Sequence, residues 1–167
     1  MKTLRKLFVL PLLISGLLFV YGCPVGMDYP PDEPGIKPVD DALLGTWSCV
    51  SDTCSDLKTV KIEKYDNSSY DITILETGSE YMADDDFFVG YVTEIDGYKF
   101  IFAEEQTSGL YYTYCYQLSG NRLTIFDVGL LEGGIDAVKS TEAFRKEISA
   151  SLKKPGCLSG RLDFTRI

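Results

Sequence analysis

Phe87-Phe88-Val89-Gly90-Tyr91-Val92-Thr93-Glu94-Ile95-Asp96-Gly97-Tyr98-Lys99-Phe100-Ile101-Phe102-Ala103-Glu104 reads as two β-strands joined by a two-residue turn. Turns of the primed types place both central residues at positive φ, and Asp-Gly meets that demand at little cost. Aromatic and β-branched residues on both sides suit a pleated, half-buried surface. The spacing predicts strands over Phe87–Ile95 and Tyr98–Glu104, with Tyr98, Phe100 and Phe102 on one face.

The pattern repeats in both directions. Upstream, Leu44–Val50 and Leu57–Tyr65 read as strands, the second with Val60 and Ile62 alternating against Lys61 and Glu63; after a turn at Asn67-Ser68, Tyr70, Ile72 and Ile74 give a third strand its apolar face. Downstream, Leu110–Leu118 places Tyr112, Tyr114 and Tyr116 on one face and Thr113 and Cys115 on the other, and Gly120-Asn121 turns it into Arg122–Val128. Gly129, Gly133 and Gly134 break the meander. Ser140 is positioned to cap a helix from Thr141 to about Lys153, because Phe144, Ile148 and Leu152 recur every fourth residue and Pro155-Gly156 stops the run. Arg161–Ile167 returns to strand.

This order of elements predicts an all-β domain: an eight-stranded antiparallel barrel with one helix before the last strand. Closing the barrel pairs the first strand with the last and removes the edges that invite aggregation. A two-sheet β-sandwich is the alternative arrangement of the same strands.

Residues before the barrel carry an export pattern. Lys2, Arg5 and Lys6 precede an apolar run from Leu7 to Val20, too short for a typical span and ending in Val20-Tyr21-Gly22-Cys23. The segment resembles bacterial lipoprotein signals, in which an aliphatic residue, a variable one and a small one precede cysteine. The resemblance implies a signal peptide over 1–22 and a mature N-terminus at Cys23 carrying a thioether-linked diacylglycerol and a further acyl chain such as palmitate. Two or more chains anchor stably where one does not. Pro24 stands where Asp marks inner-membrane retention in some bacteria, so the resemblance favours the outer membrane of a cell envelope. Residues 23–41 are rich in Pro, Asp and Glu and read as a tether, reaching roughly 50 Å if extended. The domain proper spans 42–167, about 126 residues, enough for one core.

At Leu44-Gly45-Thr46-Trp47 a Gly-x-Trp on the first strand resembles lipocalins and, more closely, the lipocalin-like domains of bacterial lipoproteins. The hairpin Leu118–Ile125 and the stretch Ser140–Arg145 leading to Leu162–Ile167 agree with it. The resemblance implies that Trp47 plugs one barrel end and a late Arg packs on it, Arg166 or alternatively Arg161. It supports a fold more than an activity.

Composition excludes several classes of function. The chain contains 16 basic residues, 25 acidic ones and no His. Signal removal leaves 13 basic residues and a net charge of −12, so nucleic acid is not an expected partner. His-dependent triads and His-ligated zinc are ruled out, and no nucleophile-base pair, phosphate loop or metal motif is present in the sequence, so neither catalysis nor a cofactor is expected.

After Cys23 four cysteines remain, and an even number in an exported chain predicts two disulfides. The close pair Cys49 and Cys54 favours a local bridge, leaving Cys115 with Cys157; barrel closure offers Cys157 with Cys54 or Cys49 instead. Tyr112, Tyr114 and Tyr116 would give an inward face a polar-tipped aromatic lining, or else belong to a filled core. Asp84-Asp85-Asp86 with Glu80 reads as a solvated acidic loop, since it lacks the spacing of a calcium loop. The expected role is a membrane-held binder of a small apolar ligand or, alternatively, a protein-interaction or inhibitor module.

Overall fold

The computed structural model describes residues 26–50, 54, 57–76 and 87–167. Eight strands run β1 (Gly45–Cys49), β2 (Leu57–Lys64), β3 (Tyr70–Glu76), β4 (Phe87–Ile95), β5 (Tyr98–Glu105), β6 (Tyr111–Ser119), β7 (Arg122–Val128) and β8 (Leu158–Arg166), with helix α1 (Thr141–Ser151) before β8. Every strand pairs antiparallel with its neighbour in sequence, and β1 also pairs with β8, placing Trp47 opposite Arg166 and Cys49 opposite Phe164. The sheet is thus a closed barrel, and the sandwich alternative does not hold.

The β4–β5 hairpin has Asp96 at φ 51° and Gly97 at φ 82°, the two positive values a type I′ turn requires. From that turn the register runs without slippage, Ile95 opposite Tyr98 through Phe88 opposite Glu105. Ser140 caps α1 by accepting a hydrogen bond from the Ala143 N–H at 3.1 Å. The last strand begins at Leu158, three residues before its alternation becomes readable. The cause is an irregularity in the β7–β8 register around Gly160, whose φ of +55° breaks the period of two.

Opposed residues on antiparallel strands share a face, which sorts the side chains. Trp47, Val60 and Ile74 line up inward, as do Ile62, Ile72 and Phe88, then Gly90, Ala103 and Tyr112. Leu43, Trp47, Ile62, Tyr70, Ile72, Ile101, Tyr116, Leu123 and Phe164 form the inner core. Gly90 is needed there because a Cβ would come within 2.4 Å of Ile72 Cδ1.

A second core lies outside the barrel. The face carrying Phe100 and Phe102 points outward, and Phe144 and Ile148 of α1 pack with Ile95, Phe100, Cys115 and Val138. Burying an aliphatic or aromatic side chain of this size contributes roughly 1.5–3 kcal/mol, enough to hold a three-turn helix against the sheet. The Glu147 carboxylate, itself buried, accepts hydrogen bonds from the backbone N–H groups of Glu132, Gly133 and Gly134 at 2.9, 2.8 and 3.3 Å and fixes the chain entering α1. Burial would raise its pKa, but these bonds outweigh that and hold it below the usual carboxylate range.

The Pro-rich segment differs from the expectation of a free tether. Residues 26–41 lie along the outside of the barrel as a strap. Met27 exchanges two backbone hydrogen bonds with Tyr111 at 3.0 and 2.9 Å, Pro31 is fully buried, and the Asp32 carboxylate accepts from Thr93 Oγ1 at 2.5 Å and from Arg145 Nη1 at 3.0 Å. Composition alone misses this because a few well-placed anchors, rather than a continuous apolar face, hold the segment.

Candidate functional site: the two ends of the barrel

One end is closed by side chains. Trp47, in the middle of the short strand β1, is completely buried, and its Nε1–H donates to the Leu43 carbonyl at 2.8 Å. The Arg166 guanidinium lies 4.5 Å from the centre of the Trp47 ring and donates from Nη2 to the Ala42 carbonyl. Structure therefore brings Trp47 and Arg166 together, while Arg161 lies elsewhere, against Asp163.

Asp40 fastens the strap beneath this end. Its backbone N–H donates to the Tyr70 hydroxyl, and its carboxylate takes hydrogen bonds from Tyr116 at 3.2 Å and Lys99 at 2.9 Å. Burial would raise the Asp40 pKa, but the Lys99 ammonium, the Ala42 N–H and the Tyr116 hydroxyl together lower it. Burial pushes Tyr70 up to about 12 and also raises Tyr116. A concavity of about 110 Å³ at this rim is lined by Lys37, Asp40, Glu94, Lys99 and Tyr116 among others. A second, of about 400 Å³, lies open to solvent along β1 and β2.

The opposite end, where β1, β3, β5 and β7 finish, is built differently. Its inward-facing residues Val60, Phe88, Tyr112, Tyr114 and Leu162 are only partly buried, and Ile74 is 37% exposed. Inward Val92 and Leu118 near the Trp47 end are partly exposed as well, so the two ends differ in degree, and what sets this one apart is its ring-lined rim. Phe88 and Tyr112 meet edge to face at 6.1 Å between ring centres. The small residues Gly90 and Ala103 stand opposite each other below them.

All three tyrosines singled out in the sequence face inward, in a row from the open rim to the closed core. Tyr116 at the bottom is buried and bonded to Asp40; Tyr112 stands at the rim. Tyr114 lies between and is opposed across the strand pair by Asp127. Burial, with the Asp127 charge added, pushes the Tyr114 phenol up to about 12, and burial raises Asp127 itself. The Asp127 carboxylate rests directly on Gly160, where an added Cβ would meet Oδ2. Sequence reasoning missed Asp127, although a signal existed: it occupies the same alternating face of β7 as Leu123 and Ile125.

Cys49 and Cys54 form a disulfide at the open end, joining the exit of β1 to the connection that follows. Cys115 and Cys157, expected as a second bridge, are instead two buried thiols. Strand β7 stands between β6, which carries Cys115, and the start of β8, which Cys157 precedes. Two strand spacings of about 4.8 Å each exceed the Cα separation that most disulfides span. Cys157 Sγ instead donates to the Gly129 carbonyl at 3.4 Å, and burial pushes Cys115 up to about 11.

Cys23, the signal pattern before it and the Asp84-Asp85-Asp86 loop with Glu80 lie outside the described residues. Among the described residues no helix is long and apolar enough to cross a membrane, and no group of three or more Cys, Asp and Glu side chains is placed to hold a metal ion. The closed eight-strand architecture is compatible with a lipocalin-like fold. Comparison with protein-family models, with curated proteins and with solved structures gives no match, so any reading of this site rests on its own geometry.

Proposed function

We propose that this chain is a lipid-anchored protein of the bacterial cell envelope, held through Cys23, whose lipocalin-like barrel binds a small apolar molecule through its open end. The observation that carries the binding half is the row of inward side chains Ile74, Phe88, Tyr112 and Tyr114, which keep exposed surface at the end away from fully buried Trp47. Val92 and Leu118, inward at the Trp47 end, are partly exposed too, so the row of rings rather than burial alone marks the mouth. Concave, mostly apolar sites with a few polar groups are the usual form of small-molecule sites, and the mouths of barrels are a common place for them. Tyr114 and Asp127 supply the polar contacts that would orient a ligand. The anchoring half is supported by the sequence pattern ending in Cys23, with the outer membrane the favoured location. Binding rather than catalysis fits a chain with no His and no paired nucleophile and base.

The test is titration of residues 26–167 with a fluorescent fatty acid. Saturable binding at one site per barrel is expected, and Ala103→Phe, which adds a ring beneath Tyr112 on the inward face, is expected to weaken it at least tenfold with the circular dichroism spectrum unchanged. Absence of binding by the unmodified domain, or binding indifferent to Ala103→Phe, would overturn the reading.

A further inference from the structure

We infer that the link between Cys23 and the barrel turns the open end toward the bilayer, making that rim a lipid-facing surface; the inference rests on the lipid-anchor reading above. Gly26 is already seated at the open rim. A Cβ there would lie 2.9 Å from Leu110 Cδ1 and 3.2 Å from the Tyr112 ring, a contact only glycine permits without displacement. Immediately after it, Met27 is buried and paired with Tyr111.

Cys23 precedes Gly26 by three residues, and a chain spans at most about 3.3–3.6 Å per residue, so the anchored cysteine can stand no more than roughly 10 Å from the rim. The strap cannot lengthen that link without giving up Met27, Pro31 and the bonds of Asp32 to Thr93 and Arg145.

The other end is far out of reach. β5 runs from Tyr98 near the closed end to Glu105 near the open one, a distance of about 23 Å at about 3.3 Å per residue. The β5–β6 turn projects at the open end, and its residues Gln106, Thr107, Ser108 and Gly109 are exposed and uncharged. The turn is flanked by Glu104 and Glu105, and the sequence joining β3 to β4 at this same end carries Glu80 and Asp84-Asp85-Asp86. The surface this end faces is therefore zwitterionic rather than anionic, since an acidic domain is repelled by an anionic bilayer. An apolar ligand would then pass between lumen and bilayer without crossing bulk water.

The experiment uses the lipidated full chain in phosphatidylcholine vesicles bearing a nitroxide on the headgroup. Thr107→Trp marks the open end and Tyr98→Trp the closed end, each read as added emission over the single native Trp47. Quenching of the Thr107→Trp signal is expected to exceed that of the Tyr98→Trp signal severalfold, and a 20-residue Gly/Ser insertion between Val25 and Gly26 is expected to erase the difference. Equal quenching of both markers in vesicle-bound protein would overturn the orientation and leave the anchor standing. Vesicle binding that persists in Cys23→Ser would overturn the anchor and the orientation with it.

Discussion

The closed and open ends of the barrel are both built from aromatic rings, most of them with polar tips, yet they use them differently. At the closed end Trp47, Tyr70 and Tyr116 are buried, and each tip has a named partner: the Leu43 carbonyl for the indole and Asp40 for both hydroxyls. At the open end Phe88 and Tyr112 meet only edge to face, and Tyr114 looks across at a carboxylate. Ring area stabilises most when the polar tip is satisfied; where it is not, the same ring contributes less to stability. The difference lies in what the chain before β1 supplies, since residues Asp40 to Leu43 serve the closed end alone.

This contrast can be broken most directly at Trp47. Trp47→Ala is expected to cost about 4 kcal/mol in urea unfolding, through a buried cavity and a lost indole hydrogen bond, against under about 1 kcal/mol for Tyr112→Ala at the exposed rim. Equal costs would mean that the open end is packed as tightly as the closed one. Gly90→Val, at the boundary between the halves, drives a side chain into Ile72 and is expected to destabilise by about 2 kcal/mol. Arg166→Met keeps most of the apolar stem over Trp47 but removes the charge and the bond to Ala42, for an expected loss of about 1–2 kcal/mol.

The smallest effect is the pH dependence, which carries opposite signs at the two ends. Asp40 has a lowered pKa in the folded state, so its contribution is present above the unfolded value and fades as pH falls through the folded one. Asp127 has a raised pKa, so the folded state holds its proton longer and stability falls as pH rises between the unfolded and folded values. Urea midpoints from pH 3 to 7 are expected to drop at neutral pH for Asp40→Asn and to rise slightly for Asp127→Asn. A shift of the same sign in both variants would remove the electrostatic distinction between the ends.

The barrel was legible because alternation is a local signal and Asp96-Gly97 fixes one hairpin outright; β4 and β7 begin and end where the pattern places them. Trp47 and a late Arg were legible by resemblance, and their contact follows from the pairing of β1 with β8. The strap was not legible. Its anchors, Met27, Pro31 and Asp32, are scattered through a stretch whose composition says spacer, and their partners Tyr111, Thr93 and Arg145 are far away in sequence. The missing second bridge has a similar cause, because cysteine parity carries no information about the strand that stands between Cys115 and Cys157. The open end was visible only as a question about which way the tyrosines face, and a period-two pattern cannot tell inside from outside when both faces are buried.

The hydrogen bond from Arg166 to Ala42 joins residues 124 positions apart, and it sets an order of events. A chain made from its N-terminus presents Trp47 early, but the helix that clamps Asp32 and the guanidinium that covers Trp47 follow only about a hundred residues or more later. Non-local pairing of this kind slows folding, and until β8 docks both the strap and the first strand lack their partners. Through that interval the unfinished barrel is expected to expose its aromatic interior, so its production should depend on holding factors more than its finished stability would suggest.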